Sequence, residues 1–207
     1  TREAIDPVRF IANRSSGKMG FAVAQAFAIQ GAEVTLVAGP VALTTPANVR
    51  RIDVGTAREM HDAVLSAIAE QDIFVATAAV ADYRPADPAA QKIKKSAESM
   101  SLALTRNPDI LADVSARTDR PFCVGFAAET RDVAEYAAKK LQAKGLDMIA
   151  ANQVSAALGF DKEENALLVL WEEGQARLPM QPKKLLAGQL VELIADRFDA
   201  QIAAENT

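Results

Sequence analysis

Cysteine and histidine are nearly missing from this chain of 207 residues: Cys123 and His61 are the only ones. One cysteine excludes an intrachain disulfide and any multi-cysteine metal centre, and it suits a reducing, cytoplasmic compartment. One histidine leaves serine-hydrolase or histidine-ligated metal chemistry resting on a single residue. His61 stands in a polar, helix-like run, Arg58-Glu59-Met60-His61-Asp62, and reads as a surface residue. There is no excess of positive charge; the net charge is −4 and the pI about 5.2. That gives no bulk reason to expect nucleic acid or an anionic membrane as partner. No apolar run approaches the length of a membrane span, and no signal peptide is visible. Neither GxGxxG nor GxxxxGK[ST] occurs, so the two commonest phosphate-loop signatures are excluded. The chain opens on Thr1-Arg2-Glu3 without methionine, which reads as a domain excised from a longer polypeptide.

What is present is a folded, core-forming chain. Half of the residues are hydrophobic and 24% are charged, which suits one α/β domain over residues 1–207. The strand runs expected are Val8–Ile11, Glu33–Ala38, Val49–Val54, Ile73–Val80, Leu102–Thr105, Phe122–Thr130 and Met148–Asn152. Ile73–Val80 reads as a fully buried central strand that turns small at its carboxyl end. A hairpin follows through Ala166–Trp171 and Ala176–Pro179. Between them, Phe21–Phe27 reads as a helix closed by Gly31 at its C′ position. Thr56 and Glu59 form a capping-box signature opening a helix to about Gln71. Pro108 suits a first helical position. Val133–Lys144 is a helix stopped by Gly145, and Lys184–Gln201 one that buries Leu185, Leu186, Leu190, Leu193, Ile194 and Phe198. Strands alternating with helices predict a doubly wound, Rossmann-like, mostly parallel sheet, with the hairpin near its end.

The stretch Val8–Gly20, VRFIANRSSGKMG, carries the most chemistry. A short buried strand, Val8–Ile11, feeds a glycine-containing turn and then a helix, the opening of a mononucleotide-binding unit. Ser15 and Ser16 are placed to cap the helix and donate hydroxyl hydrogen bonds. Gly17 and Gly20 permit close approach of a ligand to the backbone, and Lys18 adds charge. An NAD enzyme usually carries Asp or Glu at the end of its second strand; Ala38, Gly39 and Pro40 stand there instead, against NAD. The small residues ending at Val80 place Ala81-Asp82-Tyr83 at the rim of a possible site. Residues 85–100 form an excursion with clustered lysines, Lys92, Lys94 and Lys95, either a solvated face or a basic flap that closes over a polyphosphate. Tyr136 and Lys140 stand at the Y-x-x-x-K spacing that resembles short-chain dehydrogenases. An NADP-dependent reductase is therefore the alternative, although the TGxxxGxG turn of that family is missing.

Six short motifs converge on another family. They are Asp6–Ile11 leading into Asn13-x-Ser15-Ser16-Gly17-Lys18-Met19-Gly20, then Ala78–Tyr83, Lys92–Lys95, Asn107–Ile110, Val124–Thr130 and Ala151-Asn152. In this order they resemble phosphopantothenate–cysteine ligase (phosphopantothenoylcysteine synthetase), over nearly the whole chain. The resemblance implies ligation of 4′-phosphopantothenate with cysteine through an acyl-cytidylate made from CTP, with Mg²⁺ assisting, in coenzyme A biosynthesis. It implies that Asn13 holds the acyl-cytidylate, that Arg9 serves its conversion and that Lys92 serves the first step. It places Ser15, Ser16, Gly17, Lys18, Gly20, Ala76, Thr77, Ala78, Asp82, Lys92, Pro108, Asp109, Ile110, Leu111, Phe126, Lys140 and Lys144 around CTP. No compact carboxylate cluster marks metal ligands. A homodimer, and a flavin-dependent decarboxylase fused ahead of this region, are further implications; no nucleic acid or membrane partner is implied.

Overall fold

The structure, a computed structural model, describes residues 1–95, 98–129, 131–153 and 162–205. Residues 96–97 of the lysine-bearing excursion and Thr130, the end of two of the runs named above, lie outside them. Five strands form the main sheet in the order β11-β10-β9-β8-β5. They are β5 (Ile73–Ala76), β8 (Phe122–Glu129), β9 (Met148–Gln153), β10 (Glu164–Trp171) and β11 (Gly174–Pro182). β5, β8 and β9 run parallel, while β9–β10 and the β10–β11 hairpin are antiparallel. A separate parallel pair joins β3 (Val34–Ala38) to β4 (Val49–Asp53). Two antiparallel ribbons complete the strands: β1 (Glu3–Ala4) with β2 (Phe10–Ile11), and β6 (Tyr83–Pro85) with β7 (Leu104–Arg106).

Helices cover both faces, as parallel strands require. Side chains alternate across the strands, so Phe122, Val124 and Met148 meet α1 (Lys18–Ile29) and α5 (Lys183–Glu205). Cys123 and Ile149 point the other way, toward α2 (Ala57–Ala67), α3 (Ile110–Ser115) and α4 (Val133–Ala143). Leu186, Leu190 and Ile194 of α5 are fully buried, each worth roughly 1.5–3 kcal/mol of transfer free energy. Fold class, hairpin and most elements match the sequence expectation. The capping box at Thr56 and Glu59 forms, and Gly31 and Gly145 adopt positive φ just past their helices.

Several expectations are corrected. Val8 and Phe10 are 59% and 49% exposed; Phe10 belongs to the two-residue ribbon and lies under the Arg2 guanidinium, outside the main sheet. Asp6 ties the Pro7–Arg9 backbone into a tight loop, accepting from the N–H groups of Val8 and Arg9 at 2.9 and 2.8 Å, and that bend prevents a longer strand. Neither serine caps α1. Its N-cap is Gly17, with φ 76°, and the Ser15 hydroxyl accepts from the Gly17 N–H at 3.3 Å instead. β5 stops at Ala76 and is half-buried throughout, because it has a strand neighbour on one edge only. α2 gives way to a 3₁₀ turn at Ile68–Glu70. Asp109 is the N-cap of α3, its carboxylate accepting from the Ala112 N–H, so Pro108 stands before the helix rather than in it. Leu185 is 62% exposed on the outer face of α5. His61 is half-buried; its Nε2 lies 3.0 Å from Asp113 Oδ2, clasping α2 to α3.

Candidate functional site

A cleft of about 1170 Å³ runs from the gap between β3 and β5 to the carboxyl ends of β5 and β8. Open α/β sheets bind ligands at this edge because the loops there diverge and the helix N-termini point toward it. Ala76, Thr77 and Ala78 form one wall, Phe126 of β8 another, and Asp82 with Pro108–Leu111 the rim. Gly20 belongs to the same wall. A Cβ on it would stand 2.5 Å from Thr77 Oγ1, so the glycine seats the first turn of α1 directly on the end of β5. That turn leaves the N–H groups of Lys18, Met19 and Gly20 without intrahelical acceptors, where the helix dipole favours an anion.

Two lysines supply positive charge from the far side. Lys140, in the last turn of α4, reaches to 3.5 Å from the Phe126 carbonyl. Burial pushes its pKa down, and the neighbouring Lys144 ammonium pushes it further. Lys144 meets both carboxylate oxygens of Asp109, at 2.7 and 2.6 Å. Burial works against the Asp109 charge, but the Lys144 ammonium and the Ala112 N–H outweigh it and the pKa is lowered. This pocket therefore holds a desolvated cation beside an ion pair, a setting suited to a polyanion that can compete for the lysines.

The remaining candidates gather beside the cleft rather than within it. Asn13 donates from Nδ2 to the Val80 carbonyl at 3.0 Å, which pins the turn before α1 to the segment leaving β5. Arg9 is gripped by Asp6, at 2.5 Å from Nη2 to Oδ2 and 3.0 Å from Nε. Asp6 also accepts from the Ile93 N–H at 3.1 Å, and Arg9 donates to the Ile93 carbonyl at 3.1 Å. The loop carrying exposed Lys92 is thereby fastened to Arg9 through one buried carboxylate. The Arg9 guanidinium holds that carboxyl far below its usual range, although burial opposes this. Sequence reasoning missed Asp6; its only signal was an acidic residue three before an arginine in a proline turn.

Not every candidate joins the others. Lys18 turns to Glu163, away from the cleft, and Ser15, Ser16 and Gly17 do not line it. The turn before α1 thus divides, with Gly20 alone of its residues on the cleft wall. Tyr136 is 39% exposed and absent from the lining, with Lys139 rather than Lys140 against its ring. The Y-x-x-x-K pair is not assembled. Among the described residues no group of three His, Cys, Asp or Glu side chains could hold a metal ion, and no helix is long and apolar enough to cross a membrane.

Fold and cleft define an α/β protein with a lysine-bearing cleft at the carboxyl edge of its parallel strands. Residues 1–198 match the family described as DNA/pantothenate metabolism flavoprotein C-terminal domain, and the chain belongs to that family. It is 55% identical over 199 residues to the coenzyme A biosynthesis bifunctional protein CoaBC of Haemophilus influenzae, covering 96% of this chain and 50% of that protein. The Escherichia coli K12 protein of the same name is 52% identical over 204 residues, again covering 96% and 50%. The chain thus spans about half the length of the curated relatives it matches. Among solved structures, the C-terminal domain of a coenzyme A biosynthesis bifunctional protein CoaBC superposes with TM-score 0.82 at 38% identity, covering 97% of this chain and 92% of that one.

Proposed function

We propose that the protein joins 4′-phosphopantothenate to L-cysteine in coenzyme A biosynthesis, activating the carboxylate with CTP. The relatives named for coenzyme A biosynthesis support the pathway. The observation that carries the chemistry is the cleft itself: the desolvated Lys140 and the Asp109-paired Lys144 face α1's first turn across the ends of β5 and β8. This arrangement neutralises and aligns phosphates, and it presents no nucleophile–base pair.

A substrate carboxylate needs none. It is ionised at neutral pH, so one of its oxygens attacks the α-phosphorus of CTP while the bond to the β-phosphate oxygen breaks and pyrophosphate leaves. The cysteine amine then attacks the acyl carbon; the bond to the cytidylate oxygen breaks, CMP leaves, and the amine proton passes to solvent. In the first step Lys140 and Lys144 stabilise nucleotide charge, with Lys92 closing from the flap. Alignment and preorganised charge then supply most of the acceleration. In the second, Asn13 hydrogen-bonds the acyl-cytidylate and Arg9 stabilises the oxyanion formed at the acyl carbon. Ser15, Ser16, Gly17 and Lys18 complete the triphosphate end once Lys18 exchanges Glu163 for phosphate. Mg²⁺ would supply Lewis-acid charge to the triphosphate held by Lys18, Lys140 and Lys144; among the described residues no carboxylate cluster would hold it. A homodimer places a partner against the flap.

The stepwise assay tests this reading. Pyrophosphate should require CTP and phosphopantothenate together, and CMP should require cysteine as well. Pyrophosphate formed equally without phosphopantothenate contradicts it. Asn13→Asp should still release pyrophosphate yet stall before the amide; normal amide yield from that variant removes Asn13 from the mechanism.

A further inference from the structure

The chain between β5 and β6 is held by its carbonyls. Asn13 donates to the Val80 carbonyl from one side, at 3.0 Å. From the other side Asn107 serves the next two. Its Nδ2 donates to the Ala81 carbonyl at 2.7 Å, and its backbone N–H to the Asp82 carbonyl at 2.9 Å. Ala81 is 2% exposed, so its carbonyl is shut away from water and would be costly to leave unpaired. Asn107 follows β7 directly, and Pro108 after it favours extended backbone at Asn107. One asparagine therefore ties the exit from β5 to the start of the Pro108–Leu111 rim, across 26 positions of sequence.

Arg84 fixes which way that amide faces. Its Nη1 donates to Asn107 Oδ1 at 3.1 Å and also to the Arg106 carbonyl. A guanidinium only donates and a carbonyl only accepts, so Asn107 satisfies both neighbours in one orientation alone. Arg84 lies on β6 opposite Thr105 of β7, and it reaches past the end of that ribbon to Asn107. The ring through Arg84, Asn107, Ala81 and Asp82 closes the ribbon where it meets the cleft. Ala81, Asp82, Asn107 and the Pro108–Leu111 rim all line that cleft. Charge links the two arms as well. Burial and then Lys144 lower the Lys140 pKa, while Glu129, Asp109 and Asp82 oppose them. A carboxylate from each arm thus acts on the same desolvated lysine.

We propose that Asn107, oriented by Arg84, is a positioning residue that locks Asp82 and the Pro108–Leu111 rim into one wall before nucleotide arrives. Its amide oxygen and one amide N–H are already spent inside the protein, so it acts through these neighbours rather than on the reacting atoms. With the wall set in advance, Lys140 and Lys144 meet nucleotide charge without reorganisation. The inference rests on the cleft being a nucleotide site. It adds that the nucleotide side and the acyl side are held separately, by Asn107 and by Asn13. Loss of Asn107 therefore weakens nucleotide binding without stalling the acyl-cytidylate.

Calorimetric CTP binding and steady-state kinetics on variants of these two residues test it. Asn107→Asp keeps the size and the Arg84 contact but turns an acceptor toward the Ala81 carbonyl. It should weaken CTP binding and raise KM for CTP about 10-fold, with kcat falling less than about threefold, the pattern of lost ground-state binding. Arg84→Ala should raise KM by about threefold, and combining it with Asn107→Ala should be no worse than Asn107→Ala alone, since Arg84 acts through the amide. A merely structural role lowers the folded fraction and kcat but leaves KM for CTP unchanged. That result overturns the proposal, and so do additive losses in the double variant. If Asn107→Asp fails to fold, Arg84→Ala, which keeps the Asn107 donor, carries the test, and an unchanged KM contradicts the inference. Hydrogen exchange separates this failure from that of the nucleotide reading: in Arg84→Ala the Asn107 amide should exchange about 10-fold faster. Wild type that binds no CTP overturns the nucleotide reading and the positioning role with it. Wild type that binds CTP, with Asn107 exchange unchanged in Arg84→Ala, overturns the positioning role alone.

Discussion

Asp6 is the residue through which the rim of the site is coupled. Its carboxylate binds the Arg9 side chain, two N–H groups of its own turn and the Ile93 N–H of the lysine loop. Asp6→Asn keeps the shape and removes the charge, so Arg9 and Lys92 lose a common anchor. Misplacement of catalytic groups by about an ångström can cost up to about 100-fold in rate. Ligation should fall by about 10- to 100-fold in kcat with little change in KM for CTP; an unaltered kcat would show that the tie is dispensable. The same carboxyl has a pKa lowered below its ordinary 3.8. Its stabilisation is therefore complete above that value and is lost as pH falls toward the folded one, because the unfolded chain takes up the proton first. Urea midpoints should show wild type ahead of Asp6→Asn at neutral pH, with the gap closing below pH 3.8. Lys140 works in the opposite direction. Burial lowers its pKa from 10.5, so it sheds its proton, and CTP affinity should weaken, before an ordinary lysine would titrate. Isothermal titration calorimetry from neutral to alkaline pH should show that loss, and Lys140→Arg should flatten it.

At the scale of elements, the alternation of strand and helix was legible because apolar period and caps agreed. Thr56 with Glu59, Gly31 and Gly145 mark ends that the structure reproduces. What failed was local chemistry decided by distant partners. The serines before α1 look like caps, yet Gly17 takes that position in a left-handed conformation no periodicity reveals. Val8–Ile11 looks like a buried strand, but the Asp6 loop bends it into an exposed ribbon. Gly20 was read as room for a ligand, whereas the close neighbour is Thr77. Gly20→Ala should drive α1 off the end of β5 and cost about 1–3 kcal/mol, the usual range for overpacking. Adding Thr77→Ala should restore most of it. A double-mutant cycle in urea measures the coupling, and additive losses would mean that the contact does not position the helix.

At the scale of the whole molecule, the candidate site was partly legible. The small-residue strand ends, Asp82, Pro108–Leu111, Phe126 and the two lysines lie far apart in sequence and line one cleft, because parallel strands put their carboxyl ends on one edge. Lys18 adds charge to the opening turn, yet it faces Glu163, whose position no motif announced. The stretch from Val8 to Gly20 is therefore a hinge point between two neighbourhoods. Arg9 and Asn13 face the flap and the strand exit, and Gly20 faces the cleft. That division suits a ligation in which one side holds the activated acyl group and the other the nucleotide. Heavy-oxygen labelling of the phosphopantothenate carboxylate tests it most directly. After one round with CTP and cysteine, mass spectrometry should find one labelled oxygen in CMP and none in pyrophosphate. Unlabelled CMP, or label in inorganic phosphate, would contradict carboxylate attack on the α-phosphorus and with it the ligase account.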